Sequence, residues 1–496
     1  MKVRRIILWG ICLLYVLLFV YASVSKFLNF QNFRMQLGQS PMISIYAAII
    51  AWMVPLLEVL IAIPLFFKKT RAIGLYAAMT LMVMFTTYIY ITLNYSAFVP
   101  CSCGGVLEDM GWTTHMIFNG VFILLAVIGI MLIEYQKTSF RKVCLILLLL
   151  STFAVGTVIV LYITSEKTIH KHNPFVRRYP HFPAVKVKQL DLEYNSYYFA
   201  GVDDENIYLG NSTAPFHMTI LDSSLTHQKE VQIKLDSTDF EFSAIQVRVQ
   251  PPYFYLADGN TSSVFRGEIA GWEASFVKKV PIYFSRIAPI DSITIAFRMI
   301  LQKTKTNTLG LMYLESKKPI YYTENLIKKQ LDGVFDTEGD LHYNKDLERL
   351  VYVYRYHNTF FTADRALYAD VFGNTIDTIS QPQLDIVYLK NKKSYKLGSP
   401  PLVVNKTSAT YGNLLFVNST LAGKYEPLAM LQKASVIDVY DLITGDYLLS
   451  FYGYDIGHHK IRSFRVFKNR MYVLIDHWIV SYRLESPVTE AYKTKQ

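Results

Sequence analysis

Two cysteines one residue apart, Cys101 and Cys103 in Pro100-Cys101-Ser102-Cys103-Gly104-Gly105, carry the clearest chemistry in this sequence. A disulfide between them closes a small ring, and strained, exposed disulfides have more oxidising potentials and exchange readily. Trp112-Thr113-Thr114-His115 follows, where Thr113 or Thr114 is placed to cap a helix. Thiols near a helix N-terminus, with His115 in reach, carry more thiolate. Three readings stay open here: a redox pair, an inert disulfide that pins a loop, or a metal site that would need Glu108 or Asp109 beside Cys101, Cys103 and His115. A bond over so short a span removes little chain entropy, which weighs against the structural staple. Glu58 lies in Pro55-Leu56-Leu57-Glu58-Val59-Leu60, an ionisable group among apolar residues. Such a group must face the interior of a helix bundle or water. It would act as a proton relay, as a hydrogen-bond partner for a membrane quinone, or as a protonated bridge between helices. The candidate catalytic residues are therefore Cys101, Cys103, His115 and Glu58, with no metal assigned. Cys12 and Cys144 read as packing residues, the alternative being a second thiol site that relays reducing equivalents.

The elements that position these residues follow from the distribution of charge. Only 18% of the 496 residues are charged and 52% are hydrophobic, against about 25% charged in ordinary soluble domains. The shortage is concentrated: residues 1–164 hold eleven Lys and Arg and four Asp and Glu, while the rest has the charge density of a soluble protein. Five apolar runs, Ile6–Val24, Ile43–Phe67, Ala72–Leu93, Thr114–Ile133 and Val143–Thr164, reach the length of about 20 residues that crosses a bilayer as a helix. The first has no small-residue cleavage pattern after it and reads as a retained helix. Lys2, Arg4, Arg5, Lys68, Lys69, Arg71, Lys137, Arg141 and Lys142 fall on one side of these runs, and only Lys26 and Arg34 on the other. The positive-inside rule then makes the N-terminus cytoplasmic, with the Cys101–Cys103 loop and everything after Thr164 outside. The net charge of +11 is mostly this topological charge. No Lys/Arg stripe is apparent in the soluble part, which argues against a nucleic-acid partner.

Residues 165–190, with His170, His172 and His181, read as a solvated linker rather than a metal cluster. Beyond them the pattern changes to short β-branched and aromatic stretches between Gly, Asn, Asp and Pro turns. Six hairpin-like units begin near Ile207, Tyr253, Ile293, Leu350, Leu414 and Met471. Their regular spacing predicts four-stranded blades set radially, a six-bladed β-propeller, with a seven-bladed ring or a pair of β-sandwiches as alternatives. Val436–Asp441 running into Thr444-Gly445-Asp446 reads as the outer hairpin of a blade. Asp258-Gly259-Asn260 and His458-His459 are turn material before they are site candidates. The four cysteines all lie in the first third, so the predicted propeller has no disulfide framework.

Ala22-Ser23-Val24-Ser25-Lys26-Phe27, the amphipathic segment to Pro41, and Pro55-Leu56-Leu57-Glu58 together resemble the DoxX-like membrane proteins. The Pro100–Gly105 loop, followed by Trp112, His115 and Asn119, is similar to their redox-associated MauE branch, particularly its Bacteroidetes members. The resemblance covers roughly residues 1–135 and implies a four-helix membrane module linked with thiol–disulfide chemistry. MauE is associated with maturation of a disulfide-bearing subunit of methylamine dehydrogenase alongside a thioredoxin-like partner, and DoxX relatives include a quinone-linked oxidoreductase subunit. Carried over, Cys101 and Cys103 would be the redox pair. The expected organisation is 1–135 as that module, 136–164 as a loop and fifth helix, 165–190 as linker and 191–496 as the propeller. The expected function is a thiol–disulfide redox component of a bacterial inner membrane, working with a periplasmic thioredoxin-like protein or exported client and a membrane quinone. The competing reading is a membrane-anchored propeller for binding or assembly, its cysteine loop structural.

Overall fold

The five apolar runs form five helices: α1 (Lys2–Leu28), α2 (Ala47–Phe66), α3 (Arg71–Tyr95), α4 (Trp112–Glu134) and α5 (Phe140–Lys171). All five are long and apolar enough to cross a membrane. They belong to a computed structural model that describes all residues except 1, 31–32, 35–36, 38–42, 44–45, 96–110, 136–137, 172–174, 237–239, 281, 318–319, 325, 390–393, 398–399 and 493–496. The chain divides into two units: Met1–His181 with Gly423–Glu426, and Phe182–Ala422 with Pro427–Gln496.

In the helical unit, Tyr15, Phe19, Leu65, Leu75, Met79, Ala126 and Ile130 form the inner core, while Leu13, Leu17, Leu60, Leu124 and Leu148 face outward. Apolar on both faces, these helices suit a bilayer rather than water. A Cβ on Gly129 would come within 2.9 Å of Leu75, so the missing side chain lets α4 approach α3 closely. α2 carries Pro55 and Pro64, each of which removes a helical donor. Side chains supply partners for carbonyls along it: Ser23 Oγ donates to Pro55 O, Thr70 Oγ1 to Pro64 O and Arg71 Nε to Leu65 O. Cys12 is buried in the core and Cys144 half-buried, both as free thiols. α4 begins after Gly111, with no side-chain cap. The expectation that Thr113 or Thr114 caps it is therefore corrected: both lie inside the first turn, where His115 N donates to Gly111 O.

The second unit is a six-bladed β-propeller. Each blade is built on four antiparallel strands, consecutive in sequence in the first five blades, and the second blade gains a short fifth edge strand, Lys234–Leu235, that pairs parallel with Glu273–Lys279. The inner strands of the blades are Tyr197–Val202, Ile245–Gln250, Phe284–Asp291, Gly339–Asn344, Asn405–Tyr411 and Ser463–Phe467. Each inner strand neighbours the next, and the sixth neighbours the first, which closes the ring. The six second strands begin at Asn206, Tyr253, Thr294, Arg349, Leu414 and Arg470. They are the stretches that the sequence marks as hairpin units. The strand Ala434–Asp441 turns at Thr444-Gly445-Asp446 into Tyr447–Tyr454, with Gly445 at φ +77°, a conformation that glycine adopts without strain.

The sixth blade is completed from the other end of the unit. Ala184–Asp191 pairs antiparallel with Trp478–Leu484 as that blade's outermost strand. Residues 184–190, at the end of the stretch read as linker, are the first seven of this strand. Joining the first strand to the last blade turns an open array into a closed ring.

Candidate functional site

Glu58 and Lys26 meet inside the helical unit. Lys26 stands in the last turn of α1 and Glu58 in the middle of α2, and their Nζ and Oε1 are 2.6 Å apart. The Glu58 side chain is 1% exposed and that of Lys26 11%, so the pair is held away from solvent. In a low-dielectric interior an unpaired carboxylate is costly, and the ammonium meets one of its oxygens. Lys26 Nζ also lies 5.8 Å from the Phe33 ring centroid.

This pair lines a cavity of about 590 Å³ with walls from all five helices. The walls are predominantly apolar, with Leu57, Met53, Met82, Phe85, Phe118 and Val158 among them. α4 adds His115 in its first turn and Asn119 one turn further along, the i, i+4 spacing that sets both on one face. Trp112 stacks against the His115 ring at 6.4 Å between centroids. Three polar atoms of residues lining this cavity are buried without a hydrogen-bond partner among the described residues: Glu58 Oε2, His115 Nδ1 and Asn119 Nδ2. Buried polar groups are normally paired, so three orphans facing one space mark a place for a ligand with polar atoms at one end and an apolar body.

The structure thus brings Glu58 and His115 to one cavity. Cys101 and Cys103 lie outside the described residues. Lys26, the partner of Glu58, and Asn119 were missed as site residues. Lys26 counted in the sequence as a loop charge and as part of the Ala22–Phe27 motif, although its place two residues beyond the first apolar run was the available signal.

The propeller presents a second constellation. Its central channel, about 370 Å³, is lined by Arg248, Arg286, Arg355, Lys406, Arg462 and Arg465, with Asp340 and His342. Arg248, Arg286, His342 and Arg465 all come from inner strands. Burial, followed by the nearby charges of Arg248 and Arg286, pulls the Arg465 guanidinium down to about 10, while Asp340 opposes the shift. Burial likewise holds His342 down to about 4; Asp340 pulls the other way and the arginines reinforce burial. No run of basic residues announces this cluster, because five distant segments supply one cation or two each.

Residues 4–132 match the family model described as Methylamine utilisation protein MauE, a segment that runs from α1 to the last turn of α4. No curated protein matches the chain. A solved structure of a member of the DUF4221 family from Bacteroides vulgatus is similar over 61% of this chain and 97% of its own, at 15% identity and a TM-score of 0.39. A structural-genomics protein of unknown function from Bacteroides thetaiotaomicron is similar over 60% of this chain and 72% of its own, at 10% identity and a TM-score of 0.38.

Proposed function

We propose that this chain, MauE-like in its membrane unit, is a thiol–disulfide redox component of a bacterial inner membrane. On this reading it passes electrons between the Cys101–Cys103 pair and a membrane quinone, and its propeller stands on the periplasmic side to bind a client. The observation that carries the reading is the apolar cavity in which Glu58 Oε2, His115 Nδ1 and Asn119 Nδ2 are buried and, among the described residues, unpartnered. An apolar body with a polar head fits that arrangement. A quinone bound there would take up two electrons and two protons, which balances the closing of one disulfide from two thiols.

The chain's own residues have defined parts in this scheme. Asn119 Nδ2 donates a hydrogen bond to an oxygen placed in the cavity, and the Lys26 ammonium supplies positive charge beside it. Glu58 Oε2 and His115 Nδ1 are the atoms at which a proton is held or moved. His115 is twelve residues beyond Cys103, which ties the cavity to the cysteine loop through one short stretch of chain. The disulfide then exchanges with a thioredoxin-like protein or exported client: a client thiolate attacks one sulfur, and the other leaves as the thiolate.

The test uses the full chain in detergent, reduced with a phosphine and mixed with decylubiquinone without oxygen. Quinone absorbance should fall in step with the loss of alkylatable thiol at Cys101 and Cys103, and the Cys101→Ser/Cys103→Ser variant should show neither change. If quinone leaves both thiols alkylatable, the reading fails in favour of an anchored binding protein.

A further inference from the structure

We propose that the central channel of the propeller binds a small oxyanion with two or more negative charges, its carboxylate or phosphoryl oxygens received by Arg248 and Arg465. Six cations line the channel and Asp340 is the one carboxylate among its lining residues. Asp340 is already engaged, accepting from Ser408 N at 3.0 Å and from Ser408 Oγ at 3.3 Å. Arg286 is balanced by Glu338 at 3.3 Å. Arg462 spends its guanidinium on backbone carbonyls, among them Tyr197 O at 2.6 Å.

Arg248 and Arg465 are different. Each donates one hydrogen bond to the carbonyl of the residue before it, Val247 O at 3.0 Å and Phe464 O at 2.9 Å. Each lies near an aromatic ring, Tyr198 at 5.8 Å and Phe199 at 5.9 Å. Neither has an ion pair among the described residues. A guanidinium carries five donors in a rigid fork suited to carboxylate and phosphate, so most of their donor capacity is unspent. Two like charges brought together in a confined channel repel, and burial lowers the pKa of both. A ring built only for packing gains nothing from this arrangement, whereas an arriving anion relieves it. The volume suits a small ligand.

The experiment is calorimetric titration of the full chain in detergent at fixed ionic strength. Citrate stands for polycarboxylates and inorganic phosphate for phosphoryl groups, with acetate as the monovalent control. Saturable heat from citrate or phosphate at millimolar concentration or below, absent with acetate, is the expected result, and the stronger of the two names the source. Arg248→Gln/Arg465→Gln should weaken that binding about tenfold or more, without lowering the unfolding temperature of the unliganded chain. Lys229→Gln, which removes an exposed charge elsewhere on the propeller, should leave binding unchanged. The wild-type titration alone decides the matter if the double variant does not fold. No saturable heat from either multivalent anion, or equal binding by a folded double variant, overturns the proposal. Its failure leaves the quinone reading untouched, because the two sites share no residue.

Discussion

Lys26 and Glu58 separate stability from chemistry at the scale of single residues. Removing one member of a buried pair strands the other charge and typically costs about 3–5 kcal/mol, whereas replacing both with apolar groups is often neutral. Lys26→Met should therefore lower the unfolding temperature in detergent markedly, and Lys26→Met/Glu58→Leu should recover most of the loss. The double variant should nevertheless remain unable to oxidise Cys101 and Cys103 with quinone. Recovery of both stability and oxidation would reduce the pair to a helix fastener. Asp258 offers a second residue-scale test in the propeller. Its carboxylate accepts from Ser243 N and Ala244 N on one oxygen and from Asn260 N and Thr261 N on the other. Burial alone would raise its pKa, but the four donors outweigh burial and hold it below the ordinary carboxylate range. A depressed folded pKa means stability that is present above the unfolded value near ~3.9 and lost as pH falls through the folded one. Asp258→Asn should cost about 1–3 kcal/mol at neutral pH, since its amide turns donors toward donors. The variant should also show a flatter loss of stability below pH ~4 in acid unfolding curves. Equal stability at neutral pH would mean that the four bonds carry no net weight. Gly259 beside it is required for space: a Cβ there would lie 1.7 Å from Phe284 O.

Among the elements, the strand Ala184–Asp191 decides whether the ring is closed. Its Val185 and Val187 are exposed, and its hydrogen-bond partners are almost three hundred residues away. Val185-Lys186-Val187-Lys188 alternates as a strand does, but the sequence reads most of the segment as linker. A fragment starting at Phe182 should be soluble, rich in β structure by circular dichroism and cooperative in unfolding. One starting at Leu192 exposes the edge of Trp478–Leu484 and should aggregate or melt lower, because an unpaired edge strand recruits other chains. Identical melting of the two fragments would show that the closing strand adds nothing. The second strands of all six blades were legible, since runs such as Tyr253-Phe254-Tyr255-Leu256 are apolar on both faces, lying between two other strands and two other blades. The five helices were legible for the same reason, long apolar runs being explained by little else. The channel was not: Arg248, Arg286 and Arg465 each appear as the one cation in a short strand, and only ring closure brings them together. The start of α4 was also misread, because Gly111 rather than a threonine occupies the capping position.

On the scale of the whole molecule, the proposal joins a redox pair to a client-binding domain on one chain. α5 ends at Lys171 and the first propeller strand begins at Ala184, leaving twelve residues between them. Exchange through a mixed disulfide needs an attacking and a resolving thiol, so each cysteine can be removed in turn. Cys103→Ser should trap a covalent complex with a thioredoxin-like protein or client if Cys103 is the resolving thiol, and Cys101→Ser should do so if the roles are reversed. Removal of residues 182–496 should diminish capture of the client while leaving quinone-dependent oxidation of Cys101 and Cys103 intact, because the cavity lies wholly within the helical unit. The measurement is recovery of disulfide-linked partners from cells at native expression after rapid acid quenching, identified by mass spectrometry with and without reductant. Capture from one single-cysteine variant, lost on reduction, is the expected outcome. No covalent partner from either variant would leave the cysteine pair without an exchange role and the propeller as the functional end of an anchored binding protein.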